Sequence, residues 1–279
     1  MKPVDFAYER PRKIAAALAM LECDDISAKV LAGGQSLGPM LNMRLVQPDV
    51  LIDITGIAEL KRVEDGADML TLGACITHAD IEDERVPDVT RGALPRVASA
   101  IAYRAVRNRG TIGGSLTHAD PAADWVSSLA AIGAQVVIAS TKSTRTIPVE
   151  DYMADVLESA LQPGEMLEAV KLPKLSGAAR WGYFKACRKV GEFAHAIGAV
   201  LYDPDRSVCR AVLGAIERKP IVLADASALF GGRPADGLVK TFNAGLADSK
   251  LQDAGVSDPI ARRFHVAALR RAIAMSEAA

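Results

Sequence analysis

The chain has 279 residues, half of them hydrophobic, and a formal net charge of −1. This length favours more than one packed unit, and the balanced charge and sparse aromatic residues exclude the basic, base-stacking surfaces of nucleic-acid-binding proteins. The N-terminal segment carries charges where a signal peptide needs an apolar run, and no stretch approaches the roughly 20 apolar residues of a membrane span. We therefore expect a cytoplasmic protein without a transmembrane segment.

Helices and strands are predicted to alternate along the first half of the chain. Residues 11–22 have helical spacing of apolar side chains, with Pro11 at the first helical position. Strands are predicted at 30–32, 50–55 and 69–76, and a helical spacing returns over 90–106. Asp120 followed by Pro121 predicts a helix start, and Gly133 a helix end. In that helix, Asp120 and Asp124 would lie on adjacent turns of one face.

The second half is predicted to contain strands first and helices after them. The predicted strands are 135–140, paired with 144–149, one ending near Leu172, and 182–188, 194–202 and 208–215. One helix is predicted near Pro220. Another is predicted at Ser257-Asp258-Pro259, with Ile260, Phe264 and Ala268 on one side. Strands followed by helices indicate a second α+β domain, and we place the boundary after residue 175.

The four cysteines are far apart and form no CxxC pair. Zinc sites and iron–sulfur clusters usually draw on closely spaced cysteines, so neither is expected within this chain. Cys23, Cys75, Cys187 and Cys209 instead fit small buried side chains in a reducing compartment.

Two glycine loops are the strongest functional motifs. The first, Ala32-Gly33-Gly34-Gln35-Ser36-Leu37, follows a predicted strand, and the second is Arg109-Gly110-Thr111-Ile112-Gly113-Gly114-Ser115. Paired glycines let the backbone approach a ligand closely, and successive N–H groups in such turns bind anionic oxygens. Neither loop matches the two common nucleotide-binding fingerprints, and an ordinary turn explains either one alone. Together they could close on a diphosphate from two sides.

Polar residues near the second loop leave alternatives open. Asp120 is a plain helix cap or a ligand contact, and Asp124 is a solvated carboxylate or an acceptor for ribityl or ribose hydroxyls. His78-x-Asp80 and His118-x-Asp120 each offer two metal ligands but no third, so no metal site is predicted. The tetrapeptide THAD occurs at 77–80 and 117–120, and because the flanks differ we interpret this as coincidence. No catalytic residue is assigned, since no acid–base pair or nucleophile motif is present.

The segments AGGQSLGPMLNMRLVQPDVLIDIT (32–55) and RNRGTIGGSLTHADPAADW (107–125) together resemble the FAD-binding medium subunit of the molybdenum hydroxylases. This family includes the medium subunit of carbon monoxide dehydrogenase and the flavin region of xanthine dehydrogenase. The resemblance implies an α+β fold, with a vanillyl-alcohol-oxidase-type FAD-binding domain of two subdomains over 1–175 and a C-terminal α+β domain over 176–279.

The same resemblance implies that FAD is bound non-covalently and which residues contact it. Lys185 would place a positive charge near the flavin, which favours its reduced form, although a solvent-facing strand lysine is an equal alternative. Ser115 stands where many relatives have Asn, and Glu192 where they more often have Asp, which puts less weight on 188–194. The implied cofactor-binding residues are Val30, Leu31, Ala32, Gly33, Gly34, Gln35, Ser36, Leu37, Thr111, Ile112, Gly113, Gly114, Ser115, Asp124, Leu167 and Lys185.

By resemblance, the chain is the electron-transfer flavin subunit of a larger enzyme. A large partner subunit would carry molybdopterin, and a small one two [2Fe–2S] clusters, in a dimer of heterotrimers (a heterohexamer). Electrons would reach FAD from those clusters and leave for oxygen, a quinone or NAD. Two alternatives remain: a self-sufficient FAD-dependent oxidoreductase acting on its own small substrate, and a non-enzymatic nucleotide-binding scaffold.

Overall fold

The computed structural model describes residues 2–23, 25–232 and 237–278. Its strands are β1 (Ala7–Glu9), β2 (Ala28–Leu31), β3 (Val50–Asp53), β4 (Val63–Asp65), β5 (Met69–Gly73), β6 (Gln135–Ala139), β7 (Thr144–Pro148), β8 (Met153–Asp155), β9 (Glu158–Ser159), β10 (Met166–Pro173), β11 (Arg180–Ala186), β12 (Ala196–Asp203), β13 (Val208–Gly214) and β14 (Ile221–Leu223). Its α-helices are α1 (Ile14–Leu21), α2 (Leu37–Asn42), α3 (His78–Glu82), α4 (Ala93–Ser99), α5 (Arg104–Arg107), α6 (Ile112–His118), α7 (Asp124–Ile132), α8 (Val149–Tyr152), α9 (Leu238–Thr241), α10 (Ala244–Asp253) and α11 (Pro259–Glu277).

A small parallel sheet begins the fold, with the strand order β1-β3-β2. Helix α1 connects β1 to β2 and buries Ala17 and Leu18 against this sheet. The carboxyl ends of parallel strands meet at one edge, where open α/β sheets usually bind ligands. The first glycine loop leaves β2 at that edge.

The second sheet is antiparallel, with the strand order β4-β5-β10-β6-β7. Strand β10 is central and buries most of its side chains, as expected for a strand covered on both faces. At the end of β5, a side chain on Gly73 would overlap the backbone of Leu60, so only glycine fits there. The predicted pair 135–140 and 144–149 is confirmed as β6 and β7.

The third sheet, β11-β12-β13-β14, is antiparallel and lies between two helices. Helix α11 approaches so closely that a side chain on Gly182 would overlap the carbonyl oxygen of Ala272, and one on Gly198 the backbone of Leu269. The other helix is α7, all nine residues of which are buried. Trp181 of β11 belongs to the same core cluster as Trp125 of α7, so the core is continuous across the predicted boundary after residue 175.

The α+β class predicted from the sequence is confirmed, but several local predictions were wrong. The segment after Pro220 is strand β14 rather than a helix, because it pairs with β13. Helix α1 begins at Ile14, so Pro11 precedes it. The predicted helix over 90–106 is two helices, α4 and α5, separated by a turn in which Ala102 has a φ of 43°.

Helix α11 begins where predicted, with Asp258 accepting a hydrogen bond from the N–H of Ile260 and Pro259 in the first turn. Of the three residues predicted to share one side, only Ala268 is buried. Ile260 and Phe264 are exposed, by 72% and 48%, whereas Leu269 and Ile273 are buried. Ala268 and Ala272 lie toward the sheet, where their small side chains allow the close approach to β11 and β12.

Candidate functional site

The first glycine loop links β2 to α2. Gly34 adopts a φ of 71°, a left-handed conformation that favours glycine. The side-chain amide of Gln35 donates to the carbonyl oxygen of Gly33 and so stabilises the turn. Within the described residues, no group accepts a hydrogen bond from the backbone N–H of Gly34, Gln35 or Ser36. These three N–H groups therefore remain available for an anionic ligand, as the sequence predicts.

The second glycine motif differs from the prediction, because residues from Ile112 onward form helix α6 rather than a loop. Thr111 caps this helix by accepting a hydrogen bond from the N–H of Gly114 at 3.0 Å. The N–H groups of Ile112 and Gly113 donate to Ile76 and Ala74. Among the described residues, the N–H of Thr111 is the one backbone donor of the motif without an acceptor, so the motif offers a ligand mainly this N–H, its hydroxyl groups and a surface without side chains.

Direct backbone contact joins the two motifs. A side chain on Gly33 would place its Cβ 2.1 Å from the carbonyl oxygen of Arg109 and 2.8 Å from Cα of Gly110. A Cβ on Gly113 would likewise lie 2.5 Å from Cβ of Ala74. Segments almost eighty positions apart therefore meet, and their glycines are required for packing of backbone on backbone. The sequence suggested another reason, close approach to a ligand.

A cavity of about 500 Å³ lies where the motifs meet. Fourteen of the sixteen residues predicted to bind the cofactor line it; Leu31 and Ile112 do not. Ile112 is fully buried in the main core and supports the wall from behind. Met166 and Leu167, at the start of β10, supply apolar lining.

Asp124 and Lys185 form a buried ion pair in the cavity wall. Lys185 Nζ lies 2.9 Å from Oδ2 of Asp124, and the Tyr183 hydroxyl donates to Oδ1 at 2.7 Å. Burial raises the pKa of the Asp124 carboxyl, and the Lys185 charge and these hydrogen bonds oppose that shift. Burial and the neighbouring carboxylate hold the pKa of Tyr183 well above its ordinary value. Asp124 is therefore not a solvated helix carboxylate, and Lys185 does not point to solvent.

Asp120 lies outside the helix that it was predicted to cap. Helix α7 begins at Asp124, and Asp120 accepts a hydrogen bond from the N–H of Ala122 within a turn. Because residues 120–123 are not helical, Asp120 and Asp124 do not share a helix face. Both nevertheless line the cavity.

Both THAD segments also reach the cavity, in different local structures. The first starts helix α3 with a capping box between Thr77 and Asp80, whereas the second spans the end of α6. His78 and His118 line the cavity, which the sequence analysis did not predict. The repeated tetrapeptide THAD was the sequence feature that could have indicated these two histidines. Among the described residues, no group of three or more His, Cys, Asp or Glu is arranged to hold a metal ion.

The loop after β11 completes the wall, although the sequence analysis gave it little weight. Gly191 and Phe193 line the cavity, and Phe193 is 63% exposed. A side chain on Gly191 would overlap the carbonyl oxygen of Ala102, so the loop rests directly on the turn between α4 and α5. Ile101, in that turn, is a further lining residue that the sequence analysis missed, because nothing local marks a contact made through folding.

Residues 4–175 match the family model described as the FAD binding domain in molybdopterin dehydrogenase. The chain is 33% identical over 238 residues to the caffeine dehydrogenase subunit beta of Pseudomonas sp. (strain CBB1), covering 84% of this chain and 81% of that protein. It is 33% identical over 201 residues to the carbon monoxide dehydrogenase medium chain of Hydrogenophaga pseudoflava, covering 72% and 70%. A solved structure of carbon monoxide dehydrogenase from Hydrogenophaga pseudoflava superposes with a TM-score of 0.86 at 28% identity, covering 100% of this chain and 99% of that chain.

Proposed function

This chain belongs to the family of FAD-binding domains in molybdopterin dehydrogenases, and on that basis we propose that it is the FAD-binding medium subunit of a molybdenum hydroxylase. The observation that carries the proposal is the meeting of two glycine motifs, distant in sequence, at the wall of one cavity. The chain is an oxidoreductase subunit that binds FAD non-covalently.

The residues of the cavity fit such a ligand. A dinucleotide needs donors for a diphosphate, and the free N–H groups of Gly34, Gln35 and Ser36 supply them without a lysine. Thr111 and Ser115 add hydroxyl groups. Apolar lining from Met166 and Leu167 suits a flat ring system. We propose direct contact for the fourteen predicted residues that line the cavity, and a supporting role for Leu31 and Ile112.

The chain's own residues set the electrostatic environment. When bound, FAD carries electrons between the partner subunit's iron–sulfur clusters and an external acceptor. The cavity residues would hold the flavin, and the Asp124–Lys185 pair would lie in the wall beside it. Because the charges of this pair nearly cancel, the field at the cavity depends on both partners and not on Lys185 alone.

Partner subunits supply the remaining chemistry. Relatives such as the carbon monoxide dehydrogenase medium chain are parts of multi-subunit enzymes. We propose that a large molybdopterin subunit and a small [2Fe–2S] subunit bind this chain, and that two such heterotrimers pair. The wide separation of the four cysteines supports this division, since an iron–sulfur cluster would need them close together.

We further propose that the chain divides into two domains after residue 175. Residues 176–279 then contribute Tyr183 and Lys185 to the site and cover helix α7.

We also propose a cytoplasmic location. It is supported by the absence of disulfides among the four cysteines, all of which lie in the described part of the chain. None of the described helices has both the length and the apolar character that a membrane crossing requires.

Purification with untagged partners tests the proposal. The expected result is a yellow complex in which mass analysis finds FAD, a molybdopterin subunit and an iron–sulfur subunit; native mass spectrometry then separates a heterotrimer from a heterohexamer. Steady turnover of a small substrate by the isolated chain would support a self-sufficient flavoenzyme instead. A chain that stays colourless after FAD is added would support a scaffold.

A further inference from the structure

His78 is a buried histidine at the start of a capped helix. It is the first residue of α3, and the capping box of Thr77 and Asp80 sets the start of that helix. Its N–H donates to the carbonyl oxygen of Gly110 at 2.9 Å, next to the second glycine motif. The side chain is 4% exposed and lines the cavity.

The orientation and the tautomer of the ring follow from its contact with Trp125. The indole N–H of Trp125, which is fully buried, donates to His78 Nδ1 at 3.0 Å. An indole nitrogen only donates, so Nδ1 must be the unprotonated nitrogen. Turning the ring over would present a carbon to this N–H and leave a buried donor without an acceptor, which is unfavourable. The proton of the neutral ring is therefore on Nε2.

The Nε2 edge of the ring faces Gly110. A Cβ on Gly110 would lie 2.8 Å from both Cδ2 and Nε2 of His78, so only glycine lets this edge of the ring pack against the second motif. Gly33 of the first motif contacts Gly110 as well. Within residues 25–232, no group accepts a hydrogen bond from Nε2. A fixed N–H donor thus stands at the wall where the two glycine motifs meet, without a protein acceptor.

The ring stays neutral around pH 7. Burial lowers the pKa of His78 to about 4, and the charge of Arg107 acts in the same direction. A metal-binding role does not fit the geometry. Nδ1 is occupied by Trp125, while Asp80 accepts hydrogen bonds from Thr77 and pairs with Arg85.

We propose that His78 is a further cofactor-binding residue, whose Nε2–H donates a hydrogen bond to a diphosphate oxygen of FAD, and that Trp125 is a positioning residue that fixes the required tautomer. This inference rests on the proposed function, because it assumes that FAD occupies the cavity. This donor is neutral, like the free backbone N–H groups of Gly34, Gln35 and Ser36 in the first motif.

Two substitutions of His78 separate the donor from the packing role. In His78→Asn the amide oxygen can replace Nδ1 as acceptor for Trp125, but nothing replaces Nε2–H. In His78→Gln the amide nitrogen reaches the position of Nε2, while the acceptor for Trp125 is lost. The experiment measures the FAD dissociation constant of the full chain after flavin removal, by quenching of flavin fluorescence, and the melting temperature of the flavin-free chain.

We expect one variant to lose mainly FAD affinity and the other to lose mainly thermal stability. His78→Asn should weaken FAD binding about 10- to 100-fold, the loss expected for a hydrogen bond to a charged group, while melting close to wild type. His78→Gln should melt at a lower temperature but bind FAD within roughly threefold of wild type. If both variants lose affinity equally, or His78→Asn loses none, the inference is overturned.

A third variant covers the case in which His78→Asn does not fold. Trp125→Phe keeps His78 but releases its tautomer, so FAD should bind roughly 3- to 10-fold more weakly. Unchanged affinity in Trp125→Phe would contradict the positioning role. Failure of the wild-type chain to bind FAD would instead overturn the proposed function, so the two failures are distinguishable.

Discussion

Lys185 Nζ and Asp124 Oδ2 lie 2.9 Å apart in a buried pair that joins strand β11 to the first turn of helix α7. Sixty-one positions separate these residues in the sequence. The pair changes the role predicted for Lys185, because its positive charge is compensated within the wall of the site. The electrostatic field in the cavity is therefore that of a dipole, and its sign and strength depend on both side chains.

The flavin midpoint potential should respond in opposite directions when the two partners of this pair are neutralised. Asp124→Asn leaves the Lys185 charge uncompensated and should raise the potential, whereas Lys185→Met should lower it. Shifts on the order of tens of millivolts are expected, since about 30 mV corresponds to 1.4 kcal/mol for a two-electron couple. The measurement is a redox titration followed by flavin absorbance. Glu150→Gln, which breaks the Glu150–Arg210 pair away from the cavity lining, is the matched control and should leave the potential unchanged.

Tyr183 should contribute to stability through its hydrogen bond to Asp124. Tyr183→Phe leaves a buried carboxylate oxygen without its donor, which should lower the free energy of unfolding by about 1–3 kcal/mol. Urea denaturation of the flavin-free chain measures this. Tyr202→Phe on β12 is the control, because no described residue hydrogen-bonds to the Tyr202 hydroxyl. Equal losses in both variants would contradict the role assigned to Tyr183.

Contact between the two glycine motifs should be required for flavin binding. Gly33→Val and Gly113→Val place side-chain atoms where the structure has Arg109 and Ala74, so purified protein should contain little flavin. The flavin-to-protein absorbance ratio measures the effect. Gly38→Ala is the control, since a Cβ there meets nothing within 4 Å. Full yellow colour in both valine variants would show that the motifs are wrongly assigned.

Acid should destabilise the chain partly through His78. Its pKa is about 4 in the folded protein against 6.5 ordinarily, so the unfolded chain binds more protons between these values. The contribution of neutral His78 to the free energy of unfolding is complete above pH 6.5. It falls by roughly 3 kcal/mol as the pH drops to about 4.

Urea unfolding of wild type and His78→Asn across this pH range isolates that contribution. Burial lowers the pKa of His265 too, which adds a loss of the same sign to both proteins and cancels in the comparison. The variant should lose less stability on acidification. Parallel curves would mean that His78 does not titrate as described.

Much of the architecture follows from local patterns. The β-branched residues of 135–140 and 144–149 predict β6 and β7, and Asp258-Pro259 marks the start of α11, because strands and caps depend on neighbours a few positions away. The same reasoning failed at Pro220, where pairing with β13 overrides a local preference. It failed again at Ile112, because capping by Thr111 turns an apparent loop into a helix.

The amino-acid sequence alone determined the α+β class, the two glycine motifs and, through them, the family. Only the tertiary structure decided how these parts act: that Gly33 faces Arg109, that Asp124 is shared by Tyr183 and Lys185, and that Trp125 orients His78. The physical reason is the distance along the chain over which each kind of interaction acts. Turn and helix preferences are short-range properties of the chain, whereas these contacts join residues 47 to 76 positions apart, and only packing of the complete core brings such residues together.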